Sequence, residues 1–425
     1  MDLEGIAKKL LPDEEAIRKK LKEEIEFYKG THYPLTDKLI EAIIKEVKSE
    51  VNAKGLLFEY FKTGAKAGDS GLGSRGTGDF LIHNYLFNLS GRPLYTFDDA
   101  GVAKNVVVSI DGIHSRLSYF PFLAGFHVTK ATLRDIMTKG AEPLGIIIDI
   151  HLSDDSDIGM LFDFEAGVAT ISKALDVPIL AGSTLRIGGD LVIGERISGA
   201  VGSVGILKGR FYSRANIEKG MYVVMSEGNG GGTITTTAIY NGFYDVVYET
   251  ISIKDLLTCK VVQDEVPDKV VAMTDVTNGG IRGDAREINK IKNVSIIINE
   301  KKFNALVNPK VLEMLNKLNI DVYGISIDSI MIFTKEPDVV LASLRSHNIR
   351  ADIVGEVVDG REYPLYLDDN TPLLPRFRES PYTPVKAVIG NYSPYTLDEL
   401  DEKLKSAFQY EQKKISTVLE RLKLK

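Results

Sequence analysis

VVVSIDGIHSRL, residues 106–117, decides the reading of the fold. Its β-branched start reads as a strand, and that strand ends in a carboxylate, Asp111, followed at once by Gly112. Acidic residues recur in the same setting on either side. Asp98 and Asp99 stand in FDDAGV (97–102), Asp135 in TLRDIMTKGAEP (132–143), and Asp275 in AMTDVTNGGI (272–281). Carboxylates on turns at strand ends can converge on one rim of a sheet, where oxygen ligands hold hard cations and phosphates. A single aspartate of this kind is an ordinary turn or N-cap residue. Four clusters in register with a glycine-rich segment point to a site.

Outward from this run, residues 105–207 alternate strand, helix, strand, helix, strand, and RFYSRANIEKG (210–220) is a turn-rich boundary. The second half repeats the logic, from MYVVMSE through KVVAMT, NVSIIINEK and SIMIFT to DIVGEVVDG. Two related lobes of α+β or α/β architecture follow. Residues 1–65 read as amphipathic helices, the later one running through GLLFEYFK with a Thr36 or Asp37 cap. Residues 361–394 are rich in proline and turn residues, and SPYTLDELDEKL opens a capped C-terminal helix. The expected organisation is a helical extension (1–65), an N-terminal lobe with a glycine-rich loop (66–208), a C-terminal lobe (209–360) and a C-terminal extension (361–425).

Composition narrows the class. With 425 residues, 44% hydrophobic and 26% charged, the chain is a globular protein of more than one core. A net charge of −7 offers no general attraction to nucleic acid or anionic membranes. No apolar run approaches the roughly 18–20 residues that span a bilayer. One cysteine, Cys259, excludes an internal disulfide and a cysteine-built zinc site, so the expected location is the cytoplasm. Cys259 itself reads as a packing residue.

GDSGLGSRGTGDF (68–80) satisfies GxGxxG through Gly71, Gly73 and Gly76, and Asp98 lies about 20 residues on. No clean strand leads into it, and no Gly-Lys-Ser/Thr follows, so neither dinucleotide fingerprint nor Walker loop fits. Two readings stay open: a loop whose N–H groups and Arg75 approach anionic oxygens, or a mobile linker.

Taken in order, these segments resemble the aminoimidazole ribonucleotide (AIR) synthetase superfamily. Its members include thiamine-monophosphate kinase, selenophosphate synthetase, a carbamoyl-dehydrating hydrogenase-maturation protein and formylglycinamide ribonucleotide amidotransferase. FDDAGV resembles the DDAAV-type metal motif, and VSIDGIHSRL the TDGVGTKL segment. KATLRDIMTKGAEP resembles the helix and MGA-P turn, PILAGSTLRI stands where GGDT or GGET is expected, and MTDVTNGGIRGDAREI resembles DVTDGGL. The resemblance covers roughly residues 68–360. It implies an α+β two-lobe fold whose N-terminal sheet pairs with that of a second subunit, making a homodimer. ATP would lie between the lobes with Mg²⁺ bridging aspartates and phosphates, and a small metabolite would receive the phosphoryl group.

Expected metal ligands are Asp98, Asp99, Asp111, Asp135 and Asp275, with Asp111 and Asp135 the most important. Expected nucleotide contacts are Gly71, Gly73, Ser74, Arg75, Gly76, Gly78, Lys130, Thr184 and Asn278. Asp111, His114 and Arg116 are the expected catalytic residues. His114 reads either as an acid/base group or as a hydrogen-bonded turn histidine. Lys130 and Arg134, flanking Asp135 at i, i+4, otherwise read as a solvated helix face, and DDSD (154–157) as a solvated loop. The chain departs from the family pattern at Ser183 and Asn278, where relatives carry acidic residues. It lacks the reactive cysteine of selenophosphate synthetase, and no cysteine follows residue 259. A thiamine-monophosphate-kinase-like transferase and a non-catalytic nucleotide-binding subunit are the alternatives to the leading reading.

Overall fold

The computed structural model describes residues 2–91, 98–187, 192–379 and 381–422. Residues 188–191 of the IGGDL turn, Asp190 among them, lie outside the described residues, as does Phe97. Five strands form the N-terminal sheet: β1 Gly101–Ala103, β2 Val106–Gly112, β3 Ala141–Leu152, β4 Ile179–Arg186 and β5 Ile197–Leu207. Their order is β1-β2-β5-β3-β4, antiparallel except where β3 meets β4. The strand period of two splits β2 cleanly. Val107 is buried, while Val106, Val108 and Ile110 stand exposed on the other face, Ile110 at 68%.

The remaining strands form a second sheet, β11-β8-β10-β6-β9-β7. They are β6 Tyr222–Ser226, β7 Ala272–Val276, β8 Val294–Ile298, β9 Ser329–Thr334, β10 Ala351–Asp359 and β11 Leu365–Leu367. β7 and β9 are buried along their whole length. Because β11 pairs with β8, the C-terminal lobe extends past the expected boundary at 360.

Helices α1 Leu3–Leu10, α2 Glu14–Lys29 and α3 Thr36–Val51 pack into a separate N-terminal core. α3 stops at Val51, so GLLFEYFK is not helical. The cap also differs from expectation. Leu35 is the N-cap and makes no side-chain cap bond, while the Thr36 hydroxyl donates to the Tyr33 carbonyl at 2.9 Å. DDSD is no solvated loop, because Asp154 and Asp155 both accept from Lys29 and dock this bundle.

α4 Thr77–Leu89 begins inside the glycine-rich segment, where the density of glycines hid a helix. α5 Pro121–Thr138 and α6 Gly159–Leu175 cross on the N-terminal sheet. Gly125 and Gly167 permit the approach: a Cβ on either would lie 2.2 Å from a carbonyl oxygen of the facing helix. α5 is wedged between the lobes, and the hydrophobic core it shares continues through Cys259, Met273 and Ile330. Cys259 is free and buried in that core, and burial pushes its thiol well above the ordinary value. The C-terminal helix Leu397–Arg421 has the expected start, with a Thr396–Glu399 capping box. It lies on α4, where the Tyr85 hydroxyl donates to Asp401 at 2.9 Å. It also meets the end of the N-terminal extension, where Lys403 and Lys414 donate to the Thr63 and Glu59 carbonyls at 3.2 and 2.8 Å.

Candidate active site

A cleft of about 640 Å³ opens where β2, α4, α5 and the start of the Gly280–Lys292 helix meet. Asp98, Asp99, Asp111, Asp135 and Asp275 all line it, so the strand-end carboxylates do converge. Three of them are already neutralised. Asp98 accepts from the Ser213 hydroxyl at 2.6 Å and the Arg214 backbone at 2.8 Å, with Lys139 3.2 Å away. Asp99 meets Arg214 at 2.6 Å and Lys139 at 3.0 Å. Burial works against its charge, but these two cations outweigh it and hold its pKa below the ordinary value. Asp275 is paired with Arg134; burial still pushes its carboxyl up to about 6.

Asp111 and Asp135 differ from the other three: among the described residues neither makes an ion pair. Among the described residues the Asp135 carboxylate accepts from the Ser109 hydroxyl alone, at 2.6 Å. Desolvation raises the pKa of Asp111, against the pull of Arg75 and Arg134. Desolvation and the charges of Asp111, Asp275 and Asp99 push Asp135 well above the ordinary range. Among the described residues no three acid, histidine or cysteine side chains form a ready-made metal cage. Of the five expected ligands, Asp98, Asp99 and Asp275 are thus ion-paired, whereas, among the described residues, Asp111 and Asp135 are not.

α5 explains the pairing. Lys130, Arg134 and the following Lys139 are among the most deeply buried large side chains of the molecule. Arg134 bridges Asp255 and Asp328 at 2.7 Å each and also holds Asp275. Lys130 meets Asp328 at 2.9 Å and Asp255 at 3.5 Å. The helix face read as solvated is an inter-lobe ion cluster, and Lys130 is not on the cleft wall. Burial opposes ionisation of Asp328, yet Arg134 and Lys130 hold its pKa far below the usual carboxylate range.

The glycine-rich segment contributes one side chain. Arg75 reaches the cleft from a left-handed backbone, φ +56°. The N–H groups of Gly73 and Arg75 donate to Asp79 at 2.9 Å each, so the segment's own carboxylate occupies the place expected for phosphate. Arg286 donates to the Arg75 carbonyl at 2.9 Å. Thr77 N–H donates to Arg376 O at 2.8 Å, and a Cβ on Gly76 would lie 2.1 Å from Phe377 O. Gly71, Gly73, Ser74, Gly76 and Gly78 are not on the wall; they mount Arg75. Against desolvation in the cleft, Glu287 and Asp111 raise the guanidinium pKa further.

His114 lines the cleft, but both its ring nitrogens are engaged, by Thr236 at 3.2 Å and Tyr382 at 3.0 Å. Burial, Lys386 and Arg116 pull its pKa down to about 3, so it is neutral and serves as a hydrogen-bonded junction, not a free base. Arg116 faces the Tyr240 ring at 5.0 Å and is not on the wall. Thr184 lies exposed on β4, likewise off the wall. Asn278 lines the cleft with a buried, unpartnered Oδ1.

Sequence reasoning missed Arg214, Asp255, Asp284 and Asp328. Asp284 lines the cleft with one oxygen unpartnered, and burial pushes its pKa well up against the pull of Arg214. Asp328 immediately precedes β9 in SIDSIMIF, the same carboxylate-at-a-strand-end signal that marked Asp111.

Comparisons with known proteins agree with this architecture. The AIR synthase related protein N-terminal domain matches residues 97–206, and the AIR synthase related protein C-terminal domain matches residues 218–368. An uncharacterised protein of Methanocaldococcus jannaschii is 44% identical over 450 residues, covering 100% of this chain and 98% of that protein. In fold, the chain is similar to the structure of a HypE–HypF complex (TM-score 0.58, 20% identity, 69% of this chain and 98% of that one). It is also similar to AaThiL complexed with AMPPCP and TMP (TM-score 0.57, 15% identity, 72% and 98%). A two-sheet architecture with a cleft between the lobes, matched at both lobes and along nearly all of a relative, places this chain in the family of AIR synthase related proteins.

Proposed function

We propose that the protein is an ATP- and Mg²⁺-dependent enzyme that transfers a phosphoryl group to an oxygen of a small metabolite. The observation that carries this reading is the pair Asp111 and Asp135, two carboxylates without cation partners in a cleft whose other acids are largely paired. Two carboxylates suit Mg²⁺, which completes its shell with phosphate oxygens and waters and would neutralise charge on a transferring phosphoryl group. Arg75, set among Asp111, Asp135 and Glu287, would contact phosphate oxygens with its planar fork. Asn278 offers a free acceptor on the cleft wall. The inter-lobe cluster around Arg134 fixes the lobes, so these groups are positioned before ligand arrives. The AMPPCP bound to AaThiL, a protein of similar fold, supports a nucleotide as the ligand.

ADP release, measured with purine and thiamine intermediates as candidate acceptors, tests the reading. Release that depends on one of them is expected. Tight Mg²⁺·ATP binding without turnover across the panel would instead mark a nucleotide-binding regulatory subunit.

The homodimer belongs to the same proposal. Val106, Val108, Ile110 and Ile147 leave one face of the N-terminal sheet apolar and uncovered, and β4 is an exposed edge strand. Such a face and edge call for a covering partner. Light scattering at micromolar concentration should give twice the mass of one chain; a monomer would refute the dimer. No helix among the described residues is long and apolar enough to cross a membrane.

A further inference from the structure

Lys130, Arg134, Lys139, Arg214 and Arg282 are buried, and each pairs with at least one carboxylate. Arg116 and Lys386 are both half-buried, yet neither has an ion-pair partner among the described residues. The chain has 59 acidic residues and a net charge of −7, so carboxylates are not scarce. Both cations are tied to the group around His114. Lys386 Nζ lies 3.8 Å from the centre of the Tyr382 ring and donates to the Tyr382 hydroxyl. That hydroxyl is 3.0 Å from His114 Nε2, two residues before Arg116. Arg116 in turn is held over the Tyr240 ring, whose hydroxyl donates to the Arg116 carbonyl at 2.9 Å.

The hydrogen-bond directions follow from the donor count. Thr236 donates its one hydroxyl proton to Gly232 O at 2.7 Å, so it accepts from His114 Nδ1–H. His114 Nε2 therefore accepts from Tyr382, and Tyr382 accepts from Lys386. Among the described residues, two ammonium protons of Lys386 and the guanidinium fork of Arg116 remain without acceptors. Each charge also opposes its neighbours: burial and Arg116 pull Lys386 down to about 8. Like charges held together in partial burial are unfavourable unless an anion joins them.

We propose that Arg116 and Lys386, mounted on Tyr240 and Tyr382, form an oxyanion site off the cleft wall, beside the cleft-lining His114, that takes the phosphate or carboxylate group of the acceptor metabolite. A planar fork beside a compact ammonium suits such a group. Tyr382 and Lys386 lie outside both matched family domains, so the chain's own C-terminal segment supplies half of this site and the family domains, through Arg116 and Tyr240, the other half. Its assignment to the acceptor rests on the phosphoryl-transfer reading; the anion site itself does not.

The test titrates inorganic phosphate, and separately acetate, into the full chain saturated with Mg²⁺·AMP-PNP, by calorimetry and thermal shift. Saturable binding is expected with the nucleotide pocket filled, weakened at least about tenfold by Lys386→Met and by Arg116→Gln. Lys386→Met should keep its AMP-PNP affinity and, without ligand, melt at or above wild type, because a like-charge contact is removed. A phosphate-selective response indicates a phosphate monoester, and an equal acetate response a carboxylate. Phosphate affinity unchanged in both variants, or binding wholly displaced by AMP-PNP, would overturn the site. If AMP-PNP does not bind at all, the nucleotide reading fails, and the same comparison in phosphate alone still decides the anion site.

Discussion

Asp111→Asn and Asp135→Asn will each weaken Mg²⁺-dependent nucleotide binding by about a hundredfold or more, and neither will destabilise the free protein. The first effect follows from the loss of one of the two carboxylates proposed to hold the ion. The second follows from the electrostatics of the ligand-free cleft. Neither residue has an ion-pair partner among the described residues, and Asp135 is pushed well above the ordinary range by desolvation and by Asp111. Removing either charge relieves that repulsion, so the melting temperature should stay level or rise. Calorimetric titration with AMP-PNP, with and without Mg²⁺, reads the first effect, and a thermal melt of the same samples reads the second. A loss of binding accompanied by a large fall in melting temperature would mean that these carboxylates hold the fold together.

Arg134→Met should do the opposite, with a large cost in stability. Arg134 is 2% exposed and meets Asp255, Asp275 and Asp328. Methionine fills much of the volume but leaves three buried carboxylates with Lys130 alone near two of them. Breaking a buried ion cluster from one side costs about 3–5 kcal/mol. The deficit should shrink as pH is lowered from about 7.5 towards about 5.5, through the range in which Asp275 gains its proton. Asp275 already titrates at about 6 with Arg134 in place, and without it its pKa must lie higher. A carboxyl whose folded pKa exceeds its unfolded one penalises the fold while ionised, and the penalty fades as pH falls through the folded value. Asp328 has the other sign. Its depressed pKa gives stability that is full above about pH 4 and lost only on further acidification. Denaturant midpoints of both proteins at the two pH values measure this. A pH-independent deficit would contradict the role given to Asp275.

The comparison of Asp111 with Arg134 shows what a sequence reveals and what it hides. A β-branched run ending in Asp-Gly has local meaning, so the strand, its end and the gathering of five carboxylates at one cleft were legible. Which of those acids stay free depends on α5, and its burial between two lobes is a tertiary fact. Read alone, Lys130 and Arg134 are a charged face at i, i+4. Only the packing of α5 against the C-terminal lobe turns that face inward. The glycine-rich segment misled for a related reason. Its glycines satisfy a phosphate-loop pattern, but Gly71, Gly76 and Gly78 serve close contact with Phe377, roughly 300 residues away in sequence. Asp79, within the same segment, takes the N–H groups that the pattern assigned to a ligand. Tyr382 and Lys386 carried no motif at all, and only the fold of the C-terminal segment brings them to His114.

Anomalous diffraction from Mn²⁺, in crystals of the full chain grown with AMP-PNP, tests the central claim most directly. Mn²⁺ takes the hard oxygen ligands that Mg²⁺ takes and can be located by its own signal. The account predicts a peak about 2.2 Å from carboxylate oxygens of Asp111 and Asp135, with phosphate oxygens completing the shell beside Arg75. A peak at Asp98, Asp99 or Asp275 instead, or a nucleotide bound outside the cleft, would contradict it.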